Sequence, residues 1–259
     1  MLVQFLLTVC ALLPAQEKGA PPPDPALVKA AVAELDNAFA KGKPLDRVAA
    51  IARAATLVEA TVIARVAHGL RDGDATVQAA AIEALRFMKH ADAFDALHDC
   101  AKRDKKLAKD PELFAKLIKA LGQHANPASI AWLADGALAT EDFKVIDARV
   151  LSLANIRTDK SLEALIQLMR AAGREKIQPY MGTFRLALME LTGVDEGNSQ
   201  DAWSAWWNEH KGDFKVAAKP APLPKEMQNR WDYFWGNPVV LERGKKRGER
   251  GNDPESGGK

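Results

Sequence analysis

The chain has 259 residues, of which 47% are hydrophobic and 27% charged, and its formal net charge is +2. That length and apolar content suffice for a sizeable core and argue against a disordered polymer. The near-balanced charge argues against a nucleic-acid footprint spread over the whole fold, and the two cysteines exclude a disulfide-rich scaffold.

Taken in chain order, the run from Met1 to Ala15 is uncharged and mostly apolar. It is shorter than the ~20 residues that a spanning helix needs. It suits the hydrophobic part of a secretory signal over residues 1–20, with Pro14-Ala15 before Gln16 as the cleavage point. The mature chain is therefore expected outside the cytoplasm, in the periplasm or cell envelope or secreted, with no transmembrane segment. Val9 stands where a lipid-modified Cys10 would need a small neighbour, so Cys10 is expected to leave with the signal. Cys100 is then the only thiol, and it reads as a small packed residue rather than a nucleophile.

The prolines between Pro21 and Pro25 set an extended lead-in. A helix follows from Leu27 to Phe39, with Val28, Ala31, Val32, Leu35 and Phe39 on one face, and it covers the open end of what comes next. Leu45–Leu57 and Ala60–Leu70 form a first helical pair. In the second pair, Asp74 caps a helix that buries Val77, Ala81, Ala84, Leu85 and Met88. The polar break Lys89–Asp92 separates it from a partner helix marked by Phe94, Leu97 and Ala101.

The charged run from Lys102 to Asp110 reads as a solvated helix end and loop. Asp110-Pro111 starts the third pair, with proline in the first turn where its missing amide does no harm. Asn126-Pro127 starts the partner helix, which buries Ile130, Leu133, Ala134, Ala137 and Leu138. Asp142 and Asp159 are expected to cap the helices of a fourth pair. A fifth, different unit runs from Tyr180 to Leu191, ends at Gly193 and resumes after a Ser199 cap. Its last helix places Trp203, Trp206 and Trp207 on one face, which suits a terminal cap better than a sugar-binding platform.

The pairs are in register. Ile51, Ile82, Ile118 and Val150 form one column; Ile63, Phe94, Ile130 and Leu162 a second; Val66, Leu97, Leu133 and Leu165 a third. All three columns step by 31, 36 and 32 residues, near the periods of helical-pair arrays whose units bury their stripes against each other.

Leu70, Asp72, Asp74, Val77, Ala80, Ala84 and Leu85 resemble the start of a HEAT repeat of the short bacterial type, over roughly residues 45 to 172. The resemblance implies an all-α fold, a right-handed α-solenoid, and a binding scaffold without activity of its own. In that family an Arg after the valine usually ladders to the aspartate; here Gln78 holds the position. The closing segment Leu191-Thr192-Gly193 with Trp203, Trp206 and Trp207 resembles one that follows HEAT arrays in exported bacterial proteins. The array with its caps is assigned to residues 25–214, and residues 215–259 to a Pro/aromatic linker and a disordered charged tail.

No motif for catalysis, cofactor or metal stands out. The histidines lack ligand spacing, and no phosphate loop or nucleophile elbow appears. Asp95, His98 and Asp99 share one helical surface, read as exposed polar residues rather than a cation site. Trp132 falls off the buried stripe of its helix. The resemblance puts such second helices on the concave face, so Trp132 is a candidate partner-binding residue alongside Asp95 and Asp99. Lateral packing is the competing reading for Trp132. Trp231 and Trp235, in the cluster Trp231–Trp235, must dock somewhere: back on the array, or on a partner. The expected function is a monomeric exported scaffold that needs no cofactor and holds a protein or peptide, with no nucleic acid. The alternative is a carbohydrate-binding or enzymatic module of the envelope that uses surface tryptophans.

Overall fold

The computed structural model describes residues 22–236, and among these every regular element is helical. The signal expected at residues 1–20, with Cys10, and the charged tail beyond Leu241 lie outside the described residues.

Local chemistry sets the helix limits. α1 (Pro25–Lys41) begins where the Asp24 carboxylate accepts the Ala26 amide at 2.8 Å. α2 (Pro44–Ala54) and α3 (Ala60–His68) follow, the latter capped by Glu59. α4 (Ala75–Phe87) is capped by Asp74, which accepts from Thr76 at 2.8 Å and Val77 at 3.3 Å. α5 is Ala91–Arg103. α6 (Pro111–His124) starts at the Asp110 cap and ends at Ala125, whose φ of +50° stops the helix. α7 (Ile130–Ala134) is only five residues long. α8 (Phe143–Asn155) has its Asp142 cap. α9 (Asp159–Ala172), α10 (Arg174–Ile177), α11 (Met181–Thr192), α12 (Gln200–His210) and α13 (Lys225–Trp235) complete the α-helices of the described residues.

The packing follows chain order. α2, α4, α6, α8 and α11 form a main row in which each packs against the next. α1 closes one end against α2 and α3. A second row lies behind: α3 against α5, and α7 against α9, which also meets α12. All twelve column residues are buried, including Ile51, Ile82, Ile118 and Val150 in the main row. Each helix alone would expose its apolar stripe; burial against the neighbours removes about 25 cal/mol per Å² of that cost. Two apolar clusters result, meeting at α6, and Phe114 and Trp132 pack against both.

Several boundaries differ from the sequence expectation. The Lys102–Asp110 run is not wholly solvated: a 3₁₀ turn, Leu107–Lys109, buries Leu107 while the lysines stay outside. Thr158, not Asp159, caps α9, accepting the Ser161 amide at 3.1 Å. The Asp159 carboxylate instead accepts the Val216 amide at 2.9 Å and Lys215 Nζ at 3.0 Å, which pins the chain after α12. The segment 215–259, expected to be linker and tail, contains α13. Its extended lead-in, residues 215–224, is fixed at the α8–α9 corner, where Arg157 Nη2 donates to Ala217 O at 2.8 Å.

Candidate partner-binding face

The two rows differ in what covers them. α13 lies across the main row and is hydrogen-bonded directly to two of its helices, α11 and α4. At one end Arg230 Nη2 donates to Thr183 Oγ1 of α11 at 2.6 Å, and Thr183 donates in turn to Asp147 of α8 at 2.6 Å. At the other end Arg86 of α4 donates from Nη2 to the Trp235 carbonyl at 2.5 Å and to Gln123 Oε1 of α6 at 3.1 Å. Trp231 and Trp235 are only 8% and 5% exposed. The rings of these two candidate residues thus pack against their own chain, the first of the two dockings the sequence allows. Tyr233, on the outer side of α13, is 81% exposed.

The second row carries the other candidates. Asp95 and Asp99 project from the exposed face of α5, with Asp92 one turn earlier. Asp99 pairs with Arg103 at 3.4 Å, a surface pair of small energetic weight. His98 does not share that face in solvent as expected. It is 8% exposed, and its ring lies 5.1 Å from that of Phe94. Burial first, and then Lys102, hold its pKa below the ordinary histidine value. A cation held by Asp95, His98 and Asp99 together is thereby disfavoured, and no metal-binding group is found among the described residues.

Trp132 is half-buried at the seam of the two apolar clusters. Its ring meets Phe114 edge-on at 6.1 Å, and the Arg149 guanidinium lies 4.7 Å from its centroid. Arg149 explains the arrangement. α7 stops at Ala134, short of the expected Leu138, because Asp135 turns extended and Gly136 adopts φ +62°. The carbonyls freed by that early stop need donors. Arg149 Nη1 supplies them, reaching Trp132 O at 2.8 Å and Leu133 O and Asp135 O at 3.0 Å. Trp132 is thus mainly a packing residue that remains partly exposed to solvent.

Of the remaining tryptophans, Trp203 and Trp206 are internal and Trp207 is partly exposed. Trp203 is fully buried and donates its indole N–H to Gly197 O at 2.9 Å. Trp206 stacks on His210 at 4.9 Å and meets Phe214 edge-on at 5.1 Å. The Cys100 thiol is pushed up to about 11 by burial, a poor setting for a nucleophile.

Three buried charges escaped the sequence reading. Arg86, in the last turn of α4, and Arg149, in the middle of α8, occupy positions that look like solvated surface. Glu190 pairs with Arg157 at 3.0 Å, yet burial pushes its pKa up to about 6, with Asp232 of α13 adding to the rise against Arg157. Their only sequence signal is a charged residue beside a buried apolar one, which is common on exposed helices too. Asp72 of the α4 approach is satisfied by Arg47 of α2 at 2.8 Å rather than from position 78; Gln78 donates to Leu70 O at 3.2 Å instead.

No protein-family model matches the chain, and no curated protein matches it in sequence. No helix among the described residues is long and apolar enough to cross a membrane.

Proposed function

We propose that this chain is a scaffold: a right-handed α-solenoid of HEAT-type helical pairs that acts after export and holds a protein or peptide partner along its second-row face. The observation that carries the reading is the asymmetry of cover. The main row is occupied by the chain's own C-terminal helix, through Arg86, Thr183, Trp231 and Trp235. The second row presents the exposed carboxylates of α5 with no segment of the described chain over them. A partner that carries lysine or arginine side chains suits Asp92, Asp95 and Asp99 by charge complementarity.

The chain order of the main row, the burial of all three columns and the Asp72–Arg47 link between successive units support the solenoid reading. The burial of Trp203, Trp206, Trp231 and Trp235 favours a scaffold over a carbohydrate-binding or enzymatic module, which would need open rings.

Charge reversal tests the proposal without touching the core. Asp95→Lys with Asp99→Lys should abolish recovery of a partner from cell-envelope extract and leave the melting temperature within a few degrees. Unchanged recovery of the same partner, or retention on glycans alone, would overturn it.

A further inference from the structure

We propose that Arg86, Lys119 and Trp235 form an oxyanion-binding site where α4, α6 and α13 meet. The ligand class is a carboxylate or phosphate group.

The argument starts from donors without acceptors. Arg86 is 4% exposed, and its Nε–H has no acceptor among the described residues. The indole Nε1–H of Trp235, on the residue whose carbonyl Arg86 holds at 2.5 Å, has none either. Buried donors are nearly always paired, so two orphans on a bonded pair of residues call for an acceptor that the described chain does not supply. Arg86 has used its other atoms: Nη1 on Glu83 at 3.1 Å, Nη2 on Gln123 and Trp235 O.

Charge points to the kind of acceptor. Lys119, on α6 one turn before Gln123, places Nζ 5.2 Å from the centroid of Phe234, whose ring lies 4.8 Å from that of Trp235. It makes no salt bridge among the described residues. Burial, then the Arg86 charge, then Lys116, push its pKa down to about 8 against the pull of Glu83. The patch thus holds two partly desolvated cations and one carboxylate, Glu83, which is itself half in water. A neutral water could accept one orphan N–H. It would leave the excess positive charge in place, whereas an oxyanion answers both needs and offers several acceptor lone pairs.

Two sources share this chemistry: a free anion, or an acidic side chain from residues 237–259, which follow Trp235 by one glycine and include Glu242, Glu249, Asp253 and Glu255. The test uses the full chain, labelled with ¹⁵N and assigned at the Trp235 indole by Trp235→Phe, in buffer free of oxyanions at pH 7. Inorganic phosphate is titrated against sodium chloride of equal ionic strength. A saturable shift of the Trp235 indole N–H with phosphate only, weakened at least tenfold by Lys119→Met, identifies a free anion. If phosphate is silent but the response appears once the four tail acids are changed to Gln or Asn, a tail carboxylate fills the site. No saturable response in either chain, or one that chloride reproduces, would overturn the proposal and leave water as the acceptor.

Discussion

Gly122 and Ser152 touch where α6 meets α8. A methyl group at Gly122 would lie 2.2 Å from Ser152 Oγ and 2.9 Å from its Cα. Ser152 Oγ in turn donates to Ile118 O at 3.2 Å, and Asn155 Nδ2 donates to Gly122 O at 2.9 Å. The two helices therefore approach backbone to backbone at this point, closer than side chains would permit.

Gly122→Ala should accordingly destabilise the fold. Alanine improves helix propensity by about 1 kcal/mol, but overpacking at such a contact costs about 1–3 kcal/mol. Those two terms leave a loss of roughly 0–2 kcal/mol, and because the clash involves backbone the net effect falls in its upper half. Urea denaturation measures it. Adding Ser152→Gly should recover part of the loss; a stabilised single variant would mean that α6 and α8 are not in contact here.

Leu121 tests the core beside that contact. It is fully buried, and Leu121→Ala should cost about 2–5 kcal/mol. A value near zero would remove α6 from the centre of the packing.

The Trp132–Arg149 contact separates packing from recognition. Trp132→Ala should cost about 2 kcal/mol, below the range for fully buried tryptophan because the ring is half-exposed. A double-mutant cycle with Arg149→Lys should give a coupling of about 1 kcal/mol. Full stability in Trp132→Ala would restore Trp132 as a surface anchor.

The twelve column positions were legible because apolar residues in three parallel series have no other common cause, and all twelve are buried. The helix starts at Asp74, Asp110 and Asp142 were legible because capping is local chemistry. The end of α7 was not. Its apolar pattern continues to Leu138, and both residues beyond the helix, Ala137 and Leu138, are indeed buried, but from a turn that Gly136 opens and Arg149 sustains. That arrangement depends on a residue fourteen positions away from Asp135. The docking of α13 was half-legible: the aromatic cluster demanded cover, while the partners, Arg86 and Thr183, lie up to 149 residues distant. Of the candidate residues, Asp95 and Asp99 stand in solvent, whereas Trp132, Trp231 and Trp235 are wholly or partly taken up by packing.

Two groups, one partly and one fully buried, should oppose each other in acid. His124 contacts Leu85 O through Nε2 at 2.9 Å, and burial pushes its pKa down to about 4. The unfolded chain binds that proton below the usual 6.5, so stability falls as pH drops from about 6.5 towards 4. Glu190 has the reverse sign: raised from 4.5 to about 6, it binds its proton more readily when folded, so stability rises as pH drops through that window. Denaturation at pH 6.5, 5.5 and 4.5 should show a shallow dependence in the parent chain and a steeper loss towards acid in Glu190→Gln. The same slope in both would refute the assignment for Glu190.

The docking of α13 makes a kinetic prediction. Trp231→Ala removes a ring that is nine-tenths buried and should loosen the helix by about 3–5 kcal/mol. Limited proteolysis within residues 215–224 should then speed up at least tenfold, while α4, α6 and α8 stay resistant. Cleavage at the parent rate would show that α13 is held without its aromatic side.

The measurement that bears most directly on the scaffold reading is photo-crosslinking in the cells that make this protein. A photoreactive phenylalanine placed at Asp95, on the second row, is compared with one at Tyr233, on the outer side of α13. A protein adduct of defined mass formed at position 95 and missing at position 233 is the expected result. Adducts formed only at position 233, or none at either position, would contradict the account.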